Sequence, residues 1–401
     1  MSSATPALDW LYSTQMFGIK LGLSGITRLM EACGVSRPKA QVIHIAGTNG
    51  KGSTCAFAES VARAAGYKTG LFTSPHLVEF SERIRVNGKC IAGEDVERLI
   101  NHLRNIVENW EVAPTFFELT LVVALMYFAE SEVDIIILET GMGGRLDATN
   151  AVPKDVAALT PIGMDHTQYL GNTLYEIASE KAAIFSWHRP ALTAPQQPEA
   201  MRAICESARQ CDVDLRIIAE ECSAPLGLIG RHQRQNAALA LAALHSLPHF
   251  LCSAEEEARG LAEARWPGRF EEIMPGVVMD GAHNPHAMRV LVNCWKEQYG
   301  DRPAHCVFAG SADKDLDEVI RTLSPIVRSW SLPPVQSPRI LSQSALKEKI
   351  GACSSAPIAT PSSLDEALSA LPEFSLICGS FFLLGEAKAC LSNHFYRQTK
   401  Q

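Results

Sequence analysis

What the 401-residue chain lacks narrows it first. It has no run of five like-signed residues and a formal net charge of -8, so no basic tract is present to neutralise a phosphate backbone or an anionic membrane. No apolar stretch reaches the ~20 residues needed to cross a bilayer. The longest, residues 119–129, reads as a helix buried in a core. The opening Met1-Ser2-Ser3-Ala4-Thr5-Pro6 has no charged segment leading into an apolar one, so a signal peptide is not expected. The twelve cysteines include no C-x-x-C pair, which argues against a disulfide framework or a zinc knuckle and for thiols buried in a reducing cytoplasm. Internal repeats and low-complexity segments are absent as well. The expectation is a cytoplasmic protein with neither nucleic acid nor membrane as partner.

What is present is apolar residue in quantity, 47% of the chain, and a length that exceeds one ordinary core. The first half alternates short β-branched runs with helical stretches, the pattern of a mostly parallel sheet covered by helices. Residues 42–45, 134–138 and 156–159 read as strands, each followed by a turn rich in Gly, Asp or Asn, where open α/β sheets place their ligands. Arg265-Trp266-Pro267-Gly268-Arg269 carries a Pro-Gly turn pair and reads as a linker at about 265–270 between domains 1–265 and 271–401. A second α/β unit follows, with strands expected at 277–279, 305–308 and 376–378 and a helix over 287–299.

The run Val42-Ile43-His44-Ile45-Ala46-Gly47-Thr48-Asn49-Gly50-Lys51-Gly52-Ser53-Thr54 is a buried strand, a glycine-rich turn and a helix start. Glycines let backbone N–H groups curl round anionic oxygens, and the helix N-terminus adds its positive dipole end. Lys51 can neutralise β and γ phosphates and the Ser53 hydroxyl suits Mg²⁺, which makes a nucleoside triphosphate the natural occupant. Ile45 stands where a strict Walker A pattern has glycine, and the spacing Gly47-x-x-Gly50-Lys51-Gly52-Ser53 resembles the variant of the Mur-type ligases.

Further along, Glu139 lies at the carboxyl end of an expected strand and opens the turn Thr140-Gly141-Met142-Gly143-Gly144-Arg145-Leu146-Asp147-Ala148-Thr149-Asn150, well placed to reach a phosphate-bound Mg²⁺. Thr73-Ser74-Pro75-His76-Leu77 reads by itself as a polar loop leading to a hairpin, and residues 177–185 as an amphipathic helix.

Taken in order, these motifs resemble the bacterial dihydrofolate synthase/folylpolyglutamate synthase family of the Mur ligase superfamily. The resemblance includes Glu82-Arg83-Ile84-Arg85-Val86-Asn87-Gly88, Asp165-His166, Glu180-Lys181-Ala182, Gly230-Arg231-His232-Gln233-Arg234-Gln235-Asn236-Ala237, Trp266-Pro267-Gly268-Arg269-Phe270-Glu271, Asp280-Gly281-Ala282-His283-Asn284-Pro285 and Asp313-Lys314-Asp315. It spans the chain from about Leu21-Gly22-Leu23 nearly to Gly379-Ser380-Phe381.

The implied fold is an N-terminal P-loop ATPase domain of Mur-ligase type with a mostly parallel sheet, plus a C-terminal Rossmann-like α/β domain. The resemblance also implies that Gly50, Lys51, Gly52 and Ser53 hold ATP, with Asn236, Arg269 and Asp280 on the nucleotide. Ser74, Glu139 and His166, with Ser53, would ligate Mg²⁺, and K⁺ is a further ion. Thr73, Thr115, Phe116, Phe117, Glu118, Leu146, Asp147 and Ala148 would line the folate site, although the two phenylalanines equally suit ordinary core packing. Lys181 matches a lysine carbamylated in this family, the alternative being a lysine paired with a helical neighbour; His283 would face the reacting phosphate.

The implied reaction joins L-glutamate to dihydropteroate or to the γ-carboxylate of a folate, in a monomer whose partners are small molecules. The stretch Trp10-Leu11-Tyr12-Ser13-Thr14-Gln15-Met16-Phe17-Gly18 is shorter than the family norm and lacks its usual histidine, which leaves the choice between the two substrates open. A cell-wall Mur ligase fits less well, since the phosphate loop begins too early for the additional N-terminal domain those enzymes carry.

Overall fold

A computed structural model describes residues 5–17, 22–369 and 371–398; Gly18 and Leu21 of the sequence motifs lie outside the described residues. The chain forms two compact units. The first takes the N-terminal part through Ile162, then Leu170–Gly227 and Arg234–Ala264; the second takes Gly163–Tyr169, Leu228–Gln233 and the chain from Arg265 on.

The first unit is built on strands β1 (Gln41–Ala46), β2 (Thr69–Phe72), β3 (Ile84–Val86), β4 (Lys89–Cys90), β5 (Ile135–Glu139), β6 (Val156–Leu159), β7 (Ala191–Thr193) and β8 (Leu215–Ile217). Their order across the sheet is β4-β3-β2-β5-β1-β6-β7-β8. All pairings are parallel except those of the β3–β4 hairpin and its junction with β2. The hairpin turns through Asn87 and Gly88, both at positive φ, as an Asn-Gly pair favours. The central strands are almost wholly apolar because helices cover both faces.

The second unit has strands β9 (Glu271–Met274), β10 (Val277–Asp280), β11 (Ala304–Phe308), β12 (Val327–Ser331), β13 (Ile358–Ala359) and β14 (Ser375–Cys378), in the order β13-β12-β11-β14-β10-β9. Only β9 runs antiparallel. Trp295, Trp330 and Phe308 fill its core.

Three expectations shift. The strand expected over 134–138 is β5, which begins at Ile135 and retains Glu139 as its last residue, because Glu139 still pairs with Ile45 of β1. The helix expected over 177–185 spans Leu174–Ala182: Thr173 and Glu176 form a capping box that starts it earlier, and residues 183–185 leave it. Residues 163–169 and 228–233, read as part of the first domain, pack with the second unit. The long apolar stretch is the helix Phe116–Glu130, buried on nearly every side. Among the described residues no helix is long and apolar enough to cross a membrane.

Candidate functional site

The register of the first sheet lays the carboxyl ends of four strands side by side. Phe72 pairs with Leu138, Ile45 with Glu139 and Ala46 with Leu159, so the segments leaving β2, β5, β1 and β6 share one edge. That edge of an open α/β sheet is where ligands bind.

From β1 the chain enters the phosphate loop. Gly47 (φ 145°) and Gly50 (φ 90°) take conformations closed to other residues, and space closes there too. A Cβ on Gly47 would stand 1.9 Å from Thr160 Oγ1, and one on Gly50 2.6 Å from Asn236 Oδ1. Asn236, from the helix His232–His245, is therefore brought directly over the loop. The amides of Thr48 and Asn49 donate to the Pro161 carbonyl at 3.1 and 3.2 Å, which pins the loop to the segment after β6. The helix Lys51–Ala64 then begins, with Ser53 buried in its first turn. Lys51 Nζ folds back to donate to the carbonyls of Gly47 (3.2 Å) and Thr48 (3.1 Å).

Beside this loop, Glu139 is 5% exposed and its Oε2 accepts from the Ser74 amide at 3.0 Å. The Thr73 amide donates to the Arg83 carbonyl at 3.0 Å, and the Ser74–Pro75 peptide is cis. Ser53, Ser74 and Glu139 offer hard oxygen donors of the kind Mg²⁺ prefers. Among the described residues no three His, Cys, Asp or Glu side chains gather as a metal cage. One carboxylate with hydroxyls suits an ion that takes its remaining ligands from phosphate and water.

Next to Ser74 a buried cation meets aromatic rings. Arg83 Nε donates to His76 Nδ1 at 2.8 Å, and the guanidinium sits 5.3 Å from the centre of the Phe116 ring. Phe116 stacks on Tyr12 at 5.6 Å, while Phe117 meets Phe72 edge-on at 5.7 Å. Burial and then the Arg83 charge push His76 down to about 4, so it is a neutral acceptor. Burial lowers Arg83 to about 10 against the opposing pull of Tyr12, Glu139 and Glu82. Glu82 organises the whole segment by accepting from the amides of Leu77 (2.7 Å), Val78 (3.0 Å) and Glu79 (2.9 Å). Neither Glu82 nor Arg83 carries a role in the sequence reading; their place in the motif is the signal that could have found them.

Several residues expected to line the folate site are engaged within the protein. Thr115 caps the helix Phe116–Glu130, and Glu118 Oε2 accepts from the Thr115 amide (2.7 Å) and hydroxyl (2.8 Å). Glu118→Ala is accordingly expected to lower stability by on the order of 2 kcal/mol, read as a drop in denaturant midpoint, with the KM for folate little changed. A raised KM at unchanged stability would show contact with substrate instead. Asp147 is buried and accepts from the Thr149 amide (3.0 Å) and hydroxyl and from the Met142 amide (2.8 Å). Burial raises its pKa despite those hydrogen bonds. Leu146 is half-buried beside it and Ala148 buried.

Lys181 is buried in the helix Leu174–Ala182. That helix is tied to the Glu139 turn through Arg145, whose amide donates to the Glu180 carbonyl at 2.8 Å and whose Nε meets Glu180 Oε1 at 2.9 Å.

In the second unit the organising group is Asp165, which the sequence reading used only as a motif letter. Its Oδ1 accepts from Lys314 Nζ at 2.6 Å and from the His166 amide at 2.8 Å. Its Oδ2 accepts from Asn284 Nδ2 at 2.9 Å and lies 3.7 Å from His283 Nε2. Burial alone would raise Asp165, but the neighbouring His283 ring and the charges of Lys314, His166 and His283 outweigh it, and the carboxyl stays well below its usual range. His283 Nδ1 donates to the Gly281 carbonyl at 2.8 Å, which fixes the ring. His166 sits at φ 51°, an uncommon backbone for a non-glycine residue and one that functional sites favour. Asp280 accepts from the amides of Phe270 and Ala282, each at 2.8 Å, and Arg269 lies 5.0 Å from the centre of the Phe381 ring.

Among known families, residues 45–195 match the Mur ligase middle domain and residues 268–376 the Mur ligase glutamate ligase domain. A dihydrofolate synthase/folylpolyglutamate synthase of Bacillus subtilis (strain 168) is 38% identical over 367 residues, covering 83% of this chain and 85% of that protein. An Escherichia coli FolC structure in complex with DHPP and ADP superposes with a TM-score of 0.87 at 32% identity, covering 98% of this chain and 99% of that one. A bifunctional folylpolyglutamate synthase/dihydrofolate synthase from Yersinia pestis, complexed with AMPPNP and a Mn ion, gives a TM-score of 0.86 at 30% identity, with 97% and 98% covered.

Proposed function

The chain belongs to the dihydrofolate synthase/folylpolyglutamate synthase family of ATP-dependent glutamate ligases, and from that premise we propose that it carries out both ligations, on dihydropteroate and on a folate's γ-carboxylate. ATP and a divalent metal belong to the activity. The observation that carries the residue assignments is the shared strand edge, with Gly50–Ser53 and Ser74 following β1 and β2 and Glu139 ending β5.

A carboxylate acylates an amine poorly, so the acid must first gain a leaving group. The substrate carboxylate attacks the γ-phosphorus of ATP and ADP departs, leaving an acyl phosphate. The glutamate amine then attacks the acyl carbon, loses a proton and expels inorganic phosphate. Both steps place charge on oxygens, so the task of the site is positioning and electrostatic stabilisation. Lys51 swings from its loop carbonyls to the β and γ phosphates, and the amides of the first helical turn receive the remaining oxygens. Ser53, Ser74, Glu139 and His166 are the proposed metal ligands; when bound, Mg²⁺ neutralises phosphate charge. Phe116, Phe117 and Thr73 are proposed to face the pterin-bearing substrate, with Arg83 as a cation beside it. Arg269, Asp280 and Asn236 are assigned to the nucleotide and His283 to the reacting phosphate, an assignment supported by how firmly Asp280 and His283 are held.

A carbamate on buried Lys181, K⁺ as a second ion, a monomeric state and a cytoplasmic setting complete the proposal. The test supplies labelled glutamate, ATP and Mg²⁺ with dihydropteroate in one tube and tetrahydrofolate in another. Incorporation in both is expected; incorporation in one removes half of the activity, and in neither removes the reading.

A further inference from the structure

His44 lies in β1, fully buried, three residues before the phosphate loop. The proposed mechanism gives it no part. A buried position in a parallel strand is ordinarily filled by Val, Ile or Leu, as it is on both sides of His44, where Ile43 and Ile45 stand. Its Nε2 is 2.8 Å from Thr149 Oγ1 and 2.9 Å from Thr140 Oγ1, while its Nδ1 has no hydrogen-bond partner. Thr140 directly follows Glu139. Thr149 closes the same turn, and its hydroxyl donates to Asp147 Oδ1. A single ring nitrogen thus grips the turn at both ends.

The hydrogen-bond directions select a tautomer. Thr149 spends its only hydroxyl proton on Asp147, so its oxygen must accept from His44, and the ring proton sits on Nε2. Nδ1 is then a bare lone pair, the less costly of the two groups to leave without a partner in an apolar strand. Burial, followed by the nearby Lys154 charge, holds the ring neutral, in keeping with that tautomer.

We propose that His44 is a positioning residue of the ligase site, fixing turn 140–149 so that Glu139 and Asp147 keep a constant separation through the reaction. This rests on the proposed reading in which Glu139 serves the metal, and on the role in lining the folate site that the family resemblance implies for Leu146, Asp147 and Ala148. A hydrophobic residue of similar volume would satisfy the packing and leave the turn free to drift, and a small misplacement of a positioned group is costly in rate.

The test compares His44→Phe, which keeps the volume and loses the hydrogen bonds, with His44→Gln, whose amide can still donate to a threonine hydroxyl. H44F is expected to lower kcat for glutamate incorporation by about 10- to 100-fold and to raise the KM for tetrahydrofolate, with the KM for ATP little changed. H44Q is expected to recover most of kcat. Independently of activity, ¹⁵N-histidine NMR of the unmodified protein should show a neutral Nε2–H ring whose signals vanish in H44Q. Equal losses in H44F and H44Q, a loss confined to thermal stability, or an Nδ1–H tautomer would each overturn the proposal. Should H44F fail to fold, Thr140→Val, which removes one of the two contacts, must show the same kcat and folate-KM pattern, and unchanged kinetics there would overturn it. If the unmodified protein incorporates no glutamate, the reading of the site fails, while the NMR tautomer still decides the His44 contact.

Discussion

Lys51→Ala is expected to reduce ATP-dependent glutamate incorporation by ~10²-fold or more while leaving the fold intact. The ammonium group donates to the carbonyls of Gly47 and Thr48, which water can satisfy once it is gone, and the loop conformation is held by other means, from the Pro161 carbonyl to the tight fit of Gly47 on Thr160. Charge developing on the transferred phosphoryl group, by contrast, has no substitute for a preorganised cation. Labelled-glutamate incorporation with circular dichroism of the same sample checks both halves. Turnover close to that of the unmodified protein would remove Lys51 from the mechanism.

Asp165→Ala is expected to have the largest effect on stability, a loss of about 3–5 kcal/mol, because it leaves the Lys314 ammonium buried without its main partner. The Lys314 side chain is 10% exposed, and its other carboxylate neighbour, Asp313, is at 3.6 Å and more exposed. Asn284 Nδ2 loses this acceptor and the His283 ring its carboxylate neighbour in the same step. Denaturant unfolding measures the loss. Adding Lys314→Met to Asp165→Ala should restore part of it by removing the orphaned charge, and no recovery would show that the Lys314 contact is not the source. The sign with pH follows from the lowered Asp165 pKa. The folded protein refuses a proton that the unfolded chain accepts near the ordinary carboxylate pKa of ~3.9, so the stabilisation is full above that value and shrinks as pH falls below it. Asp165→Asn should flatten that acid limb.

The parts of the site that were legible in the sequence are those whose chemistry is local. A glycine loop between an apolar strand and a helix can be recognised without knowing what surrounds it, because the constraint on Gly47 and Gly50 is first a constraint on their own φ angles. Glu139 was legible for the same reason, since an acid at a strand end before a glycine turn is a local pattern, and only its membership of β5 was misjudged by one residue. The capping box of Thr115 and Glu118 was equally readable as a Thr-x-x-Glu helix start, and the family resemblance drew attention to a folate role instead. Asp165 was not legible. Its partners Asn284 and Lys314 are 119 and 149 residues away along the chain, and nothing in Asp165-His166 announces them. His44 was hidden in the same manner, with Thr140 and Thr149 lying 96 and 105 residues downstream.

By itself the sequence determined the class of chemistry: a glycine loop between strand and helix, an acid at a strand end, alternating elements that make parallel sheets, and a set of motifs that together identify a glutamate ligase family. Backbone conformation and reactive group are properties of a few neighbouring residues, so the linear order suffices for them. Only the tertiary structure decided which polar groups face one another and which of them are buried, and therefore that His76 and His44 are neutral and that Asp165 remains a carboxylate. Burial and charge proximity are sums over everything that packs around a group, and for His44 and Asp165 those neighbours include residues 96 to 149 positions away along the chain.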